Sequence, residues 1–197
     1  FMMAVPPTLA QQEPARSPPA ARATGRGPIV PPVPEGTPEE LLAYIERLGD
    51  PAALPTSRGR LRYYLKKAAA NTVEAADRIL SQSPPGDALH DRALAVKFDG
   101  LQTLSKLGEP GAADMLAEFA DTLGNVQDPT LAAAVRRAAV SARIEAALAS
   151  GRPEAAIPLI PGVAAMLQAA PADAALADAA LGMAVELSRM PGGDQAA

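Results

Sequence analysis

The chain has 197 residues, which is room for one domain of ordinary size with extended ends. Aromatic residues make up only 3% of it, cysteine is absent, and the formal net charge is −4. The absence of cysteine excludes disulfides, thiolate metal sites and cysteine nucleophiles, and the acidic balance disfavours general binding to nucleic acid or anionic membranes. Alanine is abundant, so close helix-on-helix packing is favoured over a β-sandwich, and no apolar run is long enough to span a bilayer.

The first ten residues have the features of the end of a secretory signal peptide. An apolar start (FMMAV) leads to Thr8 and Ala10, and a polar QQE follows at once. Signal peptidase selects small residues at the third and first positions before its cleavage point. We therefore interpret residues 1–10 as the remnant of a signal cleaved after Ala10, which predicts a periplasmic or other extracytoplasmic location. An ordinary N-terminus that begins apolar by chance is the alternative.

Residues 11–36 combine proline and arginine without any apolar pattern. The residues concerned are Pro14, Pro18, Pro19, Pro28, Pro31, Pro32, Pro34, Arg16, Arg22 and Arg26. Because proline fixes φ and donates no main-chain hydrogen bond, this composition predicts an extended, disordered linker. A Pro-x-x-Pro recognition motif is the alternative to a simple spacer.

The rest of the chain, residues 37–197, predicts an all-α domain of about seven helices and no sheet. Thr37 and Glu40 form a capping box around Pro38, and Gly49 ends the first helix. Apolar residues at helical spacing and Pro, Asp or Gly at the ends place the others. Their predicted ranges are 58–82, 87–108, 111–123, 129–148, 153–168 and 173–189.

Two details of these helices carry specific expectations. Gly100 lies inside the third helix at a cost of about 1 kcal/mol relative to alanine, so we expect a neighbouring helix to press close to it. Pro158 and Pro161 should kink or split the helix that starts at Pro153.

Three joints between helices share the pattern G-x-[PD]-x-A-A. They begin at Gly108, Gly151 and Gly192, so their spacings are 43 and 41 residues. One helix pair per step is near the period of helical solenoids, which favours antiparallel pairs in a TPR-like or HEAT-like array. Generic helix punctuation recurring by chance is the alternative. On the repeat interpretation, GGDQAA (192–197) opens a further helix pair, and the array is truncated there.

The last helix should then lack a neighbour on one side. We expect one apolar line to be buried against the preceding helix, namely Leu176, Ala180, Met183 and Leu187. A second set should be left partly exposed, namely Leu181, Val185 and Met190.

Three clusters offer candidate chemistry, and each has a plain structural explanation. His90 with Asp87 and Asp91 lies in the first turn of a helix, where caps and acids are expected, so we predict an exposed helix residue and no metal site. The acidic positions Asp114, Glu118 and Asp121 share one helical face. We interpret them as the solvated side of an amphipathic helix whose opposite face is Ala112, Leu116, Phe119 and Leu123.

The most basic stretch surrounds two tyrosines at the start of the second helix: Arg58, Arg60, Arg62, Tyr63, Tyr64, Lys66 and Lys67. Interleaved basic and aromatic residues can bind single-stranded nucleic acid, but these spread around the helix in an acidic chain, so we predict no nucleic-acid binding. No phosphate-binding loop, dinucleotide-binding glycine pattern, nucleophile elbow or H-E-x-x-H is present. The sequence therefore nominates no catalytic, cofactor-binding or metal residue and no cofactor.

Three stretches together resemble a known family: VPEGTPEELLAYIERLGDP (33–51), NTVEAADRILSQSP (71–84) and LAVKFDGLQTLSKLGEPGAADMLAEFADTL (94–123). The arrangement is similar to the helical N-terminal region of secreted bacterial TlpA-type, thioredoxin-like proteins. In that family a signal peptide and a proline-rich spacer precede such helices, and a thioredoxin fold follows. The family's redox chemistry rests on a Cys-x-x-Cys, which this chain lacks, so no catalytic residue is carried over.

Two functional hypotheses follow. The chain is a non-catalytic spacer or docking region of a secreted thioredoxin-like redox protein whose catalytic domain lies beyond residue 197, or it is a freestanding envelope adaptor that binds a peptide or protein. Both imply a protein or peptide partner, or an adjacent thioredoxin-like domain, and neither requires a membrane span in the mature chain.

Overall fold

A computed structural model describes residues 30–123, 128–169 and 174–189. Within these ranges the chain forms seven α-helices and no β-strand, which confirms the all-α prediction. The helices are α1 (Pro38–Leu48), α2 (Arg58–Gln82), α3 (Ala88–Lys106), α4 (Ala112–Thr122), α5 (Pro129–Ala149), α6 (Ile160–Ala169) and α7 (Ala174–Ser188). Short 3-10 helices span Pro51–Ala53 and Pro153–Leu159. The predicted signal remnant and residues 11–29 lie outside the described residues.

Local capping sets the helix starts as the sequence predicted. The Thr37 main-chain N–H donates to Glu40 Oε2 at 3.0 Å, and the Glu40 N–H donates to Thr37 Oγ1 at 3.4 Å, which completes the capping box. Asp87 caps α3 by accepting from the Leu89 N–H at 2.9 Å. Asp128 accepts from two main-chain N–H groups at the start of α5.

The most extensive helix contact joins α2 and α3, and α2 lies close against Gly100 of α3. A Cβ built on this buried glycine would lie 2.9 Å from Val73 Cγ2 and 3.2 Å from the Ala69 carbonyl oxygen. The expected close neighbour of Gly100 is therefore α2. Lys97, on the same helix, binds Asp77 at 2.6 Å and lies 5.0 Å from the centre of the Phe119 ring, so it links α2, α3 and α4.

Helix packing follows chain order, with a second set of contacts between alternate helices. Each helix from α1 to α4 packs against the next one, and α6 packs against α7. In addition α1 contacts α3, α3 contacts α5, and α5 contacts α7. The core consists of three clusters of buried residues. The first joins α1, α2 and the start of α3, the second joins α2 to α5, and the third joins α5, the 3-10 helix after it, α6 and α7. Neighbouring clusters share helices: α2 and α3 contribute to the first and second, and α5 contributes to the second and third.

Two of the three repeated joints lie in the described residues, and they have the same main-chain geometry. Gly108 and Gly151 have φ values of 68° and 67°, in the left-handed region that favours glycine. At Gly108 the N–H donates to the carbonyl three residues back at 2.8 Å, and the next N–H donates to the carbonyl five residues back at 3.0 Å. Gly151 makes the same pair at 3.1 and 3.2 Å. Both are Schellman caps; the joint at Gly192 lies outside the described residues.

The segments after these two joints differ. After Gly108 a second left-handed glycine, Gly111, leads directly into α4. After Gly151 a seven-residue 3-10 helix with Pro158 inside it precedes α6. The split that the two prolines predicted is therefore present, because proline removes a main-chain donor and crowds the preceding turn.

The last helix places its apolar residues as predicted. Leu176, Met183 and Leu187 are buried and Ala180 is partly buried in the third cluster, whereas Leu181 is 65% exposed and Val185 is 39% exposed. Met190 lies outside the described residues.

The end of the predicted linker corrects one expectation. Residues 30–36 were assigned to a disordered segment with nothing to bury, yet Val30 is buried in the first cluster and Val33 packs against it. Two main-chain carbonyls of this segment also accept hydrogen bonds from the helices. A short segment without periodicity can be ordered by its neighbours, which composition alone does not reveal.

Replacing Gly100 by alanine tests the α2–α3 approach. Helix propensity favours alanine by about 1 kcal/mol. Overpacking against a side chain and a main-chain carbonyl costs about 1–3 kcal/mol, so we expect Gly100→Ala to lower the free energy of unfolding by about 1 kcal/mol. Gly59→Ala is the control, because a Cβ there meets nothing within 4 Å. Chemical denaturation of both variants measures the difference; equal stabilisation by both would contradict the close approach.

A second prediction concerns α7. It leaves Leu181 largely in water, so fewer of its apolar groups oppose local opening than in α5. We expect the amides of α7 to exchange faster than those of α5 in hydrogen–deuterium exchange. Equal protection of the two helices would show that the exposed face is covered in solution.

Candidate interaction sites

His90 is less accessible than the sequence predicted. Its side chain is only 14% exposed, so the expectation of an exposed helix residue is wrong. The reason is tertiary: the first turn of α3 lies against α1, where Arg92 pairs with Glu46 and Leu89 packs on the first core cluster. His90 Nδ1 lies 3.6 Å from Asp91 Oδ1, which is too far for a hydrogen bond. No group of His, Cys, Asp and Glu that could hold a metal ion occurs among the described residues.

The acidic face of α4 is solvated, as predicted. Asp114, Glu118 and Asp121 are exposed, and Asp114 Oδ1 lies 3.8 Å from Arg143 Nη2. The opposite face, Ala112, Leu116, Phe119 and Leu123, is buried. The amphipathic pattern therefore accounts for these carboxylates.

The basic stretch of α2 is divided between structural contacts and solvent. Arg62 Nη2 donates to the Leu107 carbonyl at 3.0 Å, and Lys66 Nζ lies 2.6 Å from Glu109, so both bind the end of α3. Positive charge is favourable at a helix C-terminus. Tyr64 is buried and donates to the Leu48 carbonyl at 3.1 Å, whereas Tyr63 is exposed. Arg62, Lys66 and Tyr64 thus make contacts within the fold.

The best-defined polar site surrounds the carbonyl oxygen of Pro31. The Tyr44 hydroxyl of α1 donates to this oxygen at 2.7 Å, and Asn71 Nδ2 of α2 donates to it at 2.8 Å. Asn71 Nδ2 also donates to the Tyr44 hydroxyl at 2.8 Å, which closes a triangle. Asn71 is only 3% exposed, and its Nδ2 group donates to both of these partners.

A further donor lies about two turns along α2 from Asn71. Arg78 Nη1 donates to the Pro34 carbonyl at 3.0 Å, and its guanidinium is held by Glu74 at 2.7 Å. Glu35 lies 3.7 Å from the same guanidinium. We call Tyr44, Asn71 and Arg78 the carbonyl clamp, because all three donate to main-chain oxygens of one extended segment.

The clamp borders a cleft of about 580 Å³ between this segment and the first two helices. Its lining combines prolines, two tyrosines and aliphatic groups: Pro31, Pro32, Pro34, Tyr44, Arg47, Leu48, Ala53 and Tyr64. Prolines and tyrosines that line one cleft, beside donors to main-chain carbonyls, suit the recognition of an extended peptide.

The clamp was not predicted from the sequence. Tyr44 and Asn71 had no predicted role, although both are buried. The available signal was the amide of Asn71 in the alanine-rich middle of α2, because such a group needs a partner when buried. Its partner could not be named, since it belongs to residues expected to be disordered.

A second cleft, of about 740 Å³, lies between the two Schellman joints. The ends of α3 and α5 line it, together with charged groups of both signs: Lys106, Glu109, Asp114, Arg143, Glu145 and Arg152. These side chains are exposed. They define no binding chemistry as specific as the buried amide of Asn71.

The clamp predicts a pH effect. Burial raises the pKa of Tyr44 above its ordinary value, and the hydrogen bond from Asn71 partly opposes this shift. With a folded pKa above the unfolded value of about 10, the neutral phenol contributes stability that is complete below pH 10 and is lost as the pH rises through the folded pKa.

We therefore expect residues 30–36 to loosen above pH 10, measured by the NMR signals of the Val30 and Val33 methyl groups. Tyr44→Phe is the control, because it lacks the ionising group. An identical pH profile in that variant would contradict a role for the phenol.

Among the described residues no helix is both long and apolar enough to cross a membrane. Comparison with known proteins adds no relative: no protein-family model matches the chain, and no curated protein or solved structure is significantly similar to it. The carbonyl clamp is the candidate site whose chemistry is best defined by its own geometry.

Proposed function

We propose that this chain is a non-catalytic protein-docking region that binds extended peptide segments through their main chain. The observation that carries the proposal is the carbonyl clamp. Tyr44, Asn71 and Arg78, from two packed helices, donate to two carbonyl oxygens of a segment without regular secondary structure at 2.7–3.0 Å. Rigid helices that present buried donors toward a main chain provide a preformed site for another chain of the same conformation.

The arrangement of the helices supports docking. A solenoid of helix pairs, of the TPR or HEAT kind, is our proposal for the array. It is supported by the near-equal spacing of the joints, the matching caps at Gly108 and Gly151, and the contacts between alternate helices. Such arrays present extended surfaces to protein partners.

The placement of this docking region in an exported thioredoxin-like redox protein is part of the same proposal, with the freestanding envelope adaptor as its alternative. Support comes from the resemblance of about residues 33–197 to the helical region of TlpA-type proteins and from the signal-like start. The parent reading frame decides between the two. A Cys-x-x-Cys within about two hundred residues after Ala197 supports the redox protein, and a stop codon directly after it supports the adaptor.

Selection from a random peptide library displayed on phage tests the docking function. The bait is the full chain with Val30→Asp and Val33→Asp, which removes the apolar contacts of the resident segment and leaves the helices unchanged. We expect specific peptides to be enriched on this bait. The same bait with Asn71→Ala added should lose most of that enrichment, because the carbonyl donor is gone. No enrichment on a bait that retains its helical circular dichroism would refute the proposal.

A further inference from the structure

We infer that the segment Val30-Pro31-Pro32-Val33-Pro34 is a ligand of its own protein, and that it occupies a site built for Pro-x-x-Pro segments of a partner protein. The inference rests on the proposed docking function and specifies its ligand and its regulation. The partner is an extended, proline-rich chain with an apolar residue directly before each of two prolines spaced by three.

The contacts of the segment repeat every three residues. The clamped carbonyls belong to Pro31 and Pro34, and the residues packed on the first core cluster are Val30 and Val33. A polyproline II helix has three residues per turn, so positions three apart lie on one side of it. One side of such a helix therefore meets α1 and α2 with both its apolar and its polar contacts.

The direction of the hydrogen bonds explains why proline suits this site. Every hydrogen bond between residues 30–34 and the helices is donated by a helix side chain to a carbonyl oxygen of the segment. No main-chain N–H of the segment donates to another described residue. A proline lacks a main-chain N–H, so it loses no hydrogen bond in this site. Its φ is also restricted before binding, which lowers the entropy cost of binding.

The remaining contacts add selectivity. Tyr44 and Tyr64 line the cleft beside the prolines, and aromatic surfaces are the usual partners of proline-rich helices. Glu35 follows Pro34 and lies 3.7 Å from the Arg78 guanidinium, so an acidic residue after the second proline is favoured. Since that pair is exposed to solvent, its contribution is small.

The tether makes the site self-masking. Only Glu35, Gly36 and Thr37 separate the segment from the first residue of α1. A short tether of this kind gives an effective concentration on the order of millimolar. For a ligand with an intrinsic Kd of about 100 μM, competition from the tethered copy weakens apparent binding about tenfold. A partner must therefore bind more tightly than the resident segment, or the segment must first be released.

Fluorescence anisotropy with a labelled VPPVPEG peptide tests the inference on the full-length chain. We compare the natural chain with the Val30→Asp/Val33→Asp variant, in which the tethered copy has lost its apolar contacts. The expected result is at least tenfold tighter binding by the variant. Adding Asn71→Ala to the variant should weaken binding at least tenfold, and so should a VAAVAEG peptide, which keeps the carbonyls and valines but lacks the prolines.

Folding of each variant is checked by circular dichroism, and Pro31→Gly/Pro34→Gly provides a second way to loosen the segment without new charges. Equal binding by natural and loosened chains, or an unchanged Kd after Asn71→Ala, overturns the inference. If the natural chain forms concentration-dependent dimers and Asn71→Ala abolishes them, the ligand is a second copy of the chain. That result would refute the inference of a separate partner protein.

The two proposals fail differently. Asn71-dependent enrichment of other peptides from the library, without binding of VPPVPEG, refutes the proline-rich ligand and leaves docking intact. Failure of both experiments refutes both.

Discussion

The close approach of α2 and α3 at Gly100 is the constraint on which the rest of the structure depends. Because Gly100 has no Cβ, the Ala69 carbonyl and the Val73 side chain can lie directly against α3. The core is rich in alanine, and small side chains bury enough surface only when helices come this close. Two ion pairs add to this contact: Lys97 of α3 with Asp77 of α2, and Lys66 of α2 with Glu109 just after α3. This contact positions α2, the helix that carries Asn71 and Arg78 of the clamp.

The same approach explains why α2 is buried on two sides. Ala69 and Val73 face α3, whereas Tyr64 and Asn71 bond to the end of α1 and to the N-terminal segment. With 3.6 residues per turn, these two sets fall on opposite sides of the helix. A helix packed on both sides has no single apolar stripe, so polar groups such as Asn71 can lie inside the structure when they have partners. Left without partners, that buried amide would cost about 1–3 kcal/mol.

Beyond α3 the chain is organised by two similar helix caps and by buried clusters that share helices. The Schellman caps at Gly108 and Gly151 turn the chain in the same way, and the three core clusters are joined by helices that they share. Helix contacts join mainly neighbouring and alternate helices, and the two ends differ in what covers them. At the start, residues 30–36 cover α1 and α2; at α7, Leu181 remains exposed among the described residues.

The sequence by itself determined the helices, their caps and the joints, because each of these is set by contacts within a few residues. The residues that set these features contact only near neighbours in the chain: Thr37 with Glu40, Asp87, Gly108 and Gly151. Their residue types and spacing are therefore enough to predict where the helices begin and end. Gly100 also predicted a close neighbour, although the sequence did not say which helix it would be. Only the tertiary structure decided that His90 is mostly covered and that Asn71 meets Pro31. Both outcomes depend on which segments pack together in the fold. Asn71 and Pro31 are 40 residues apart in the sequence. Periodicity and composition describe local stretches, so they do not indicate which distant segments meet.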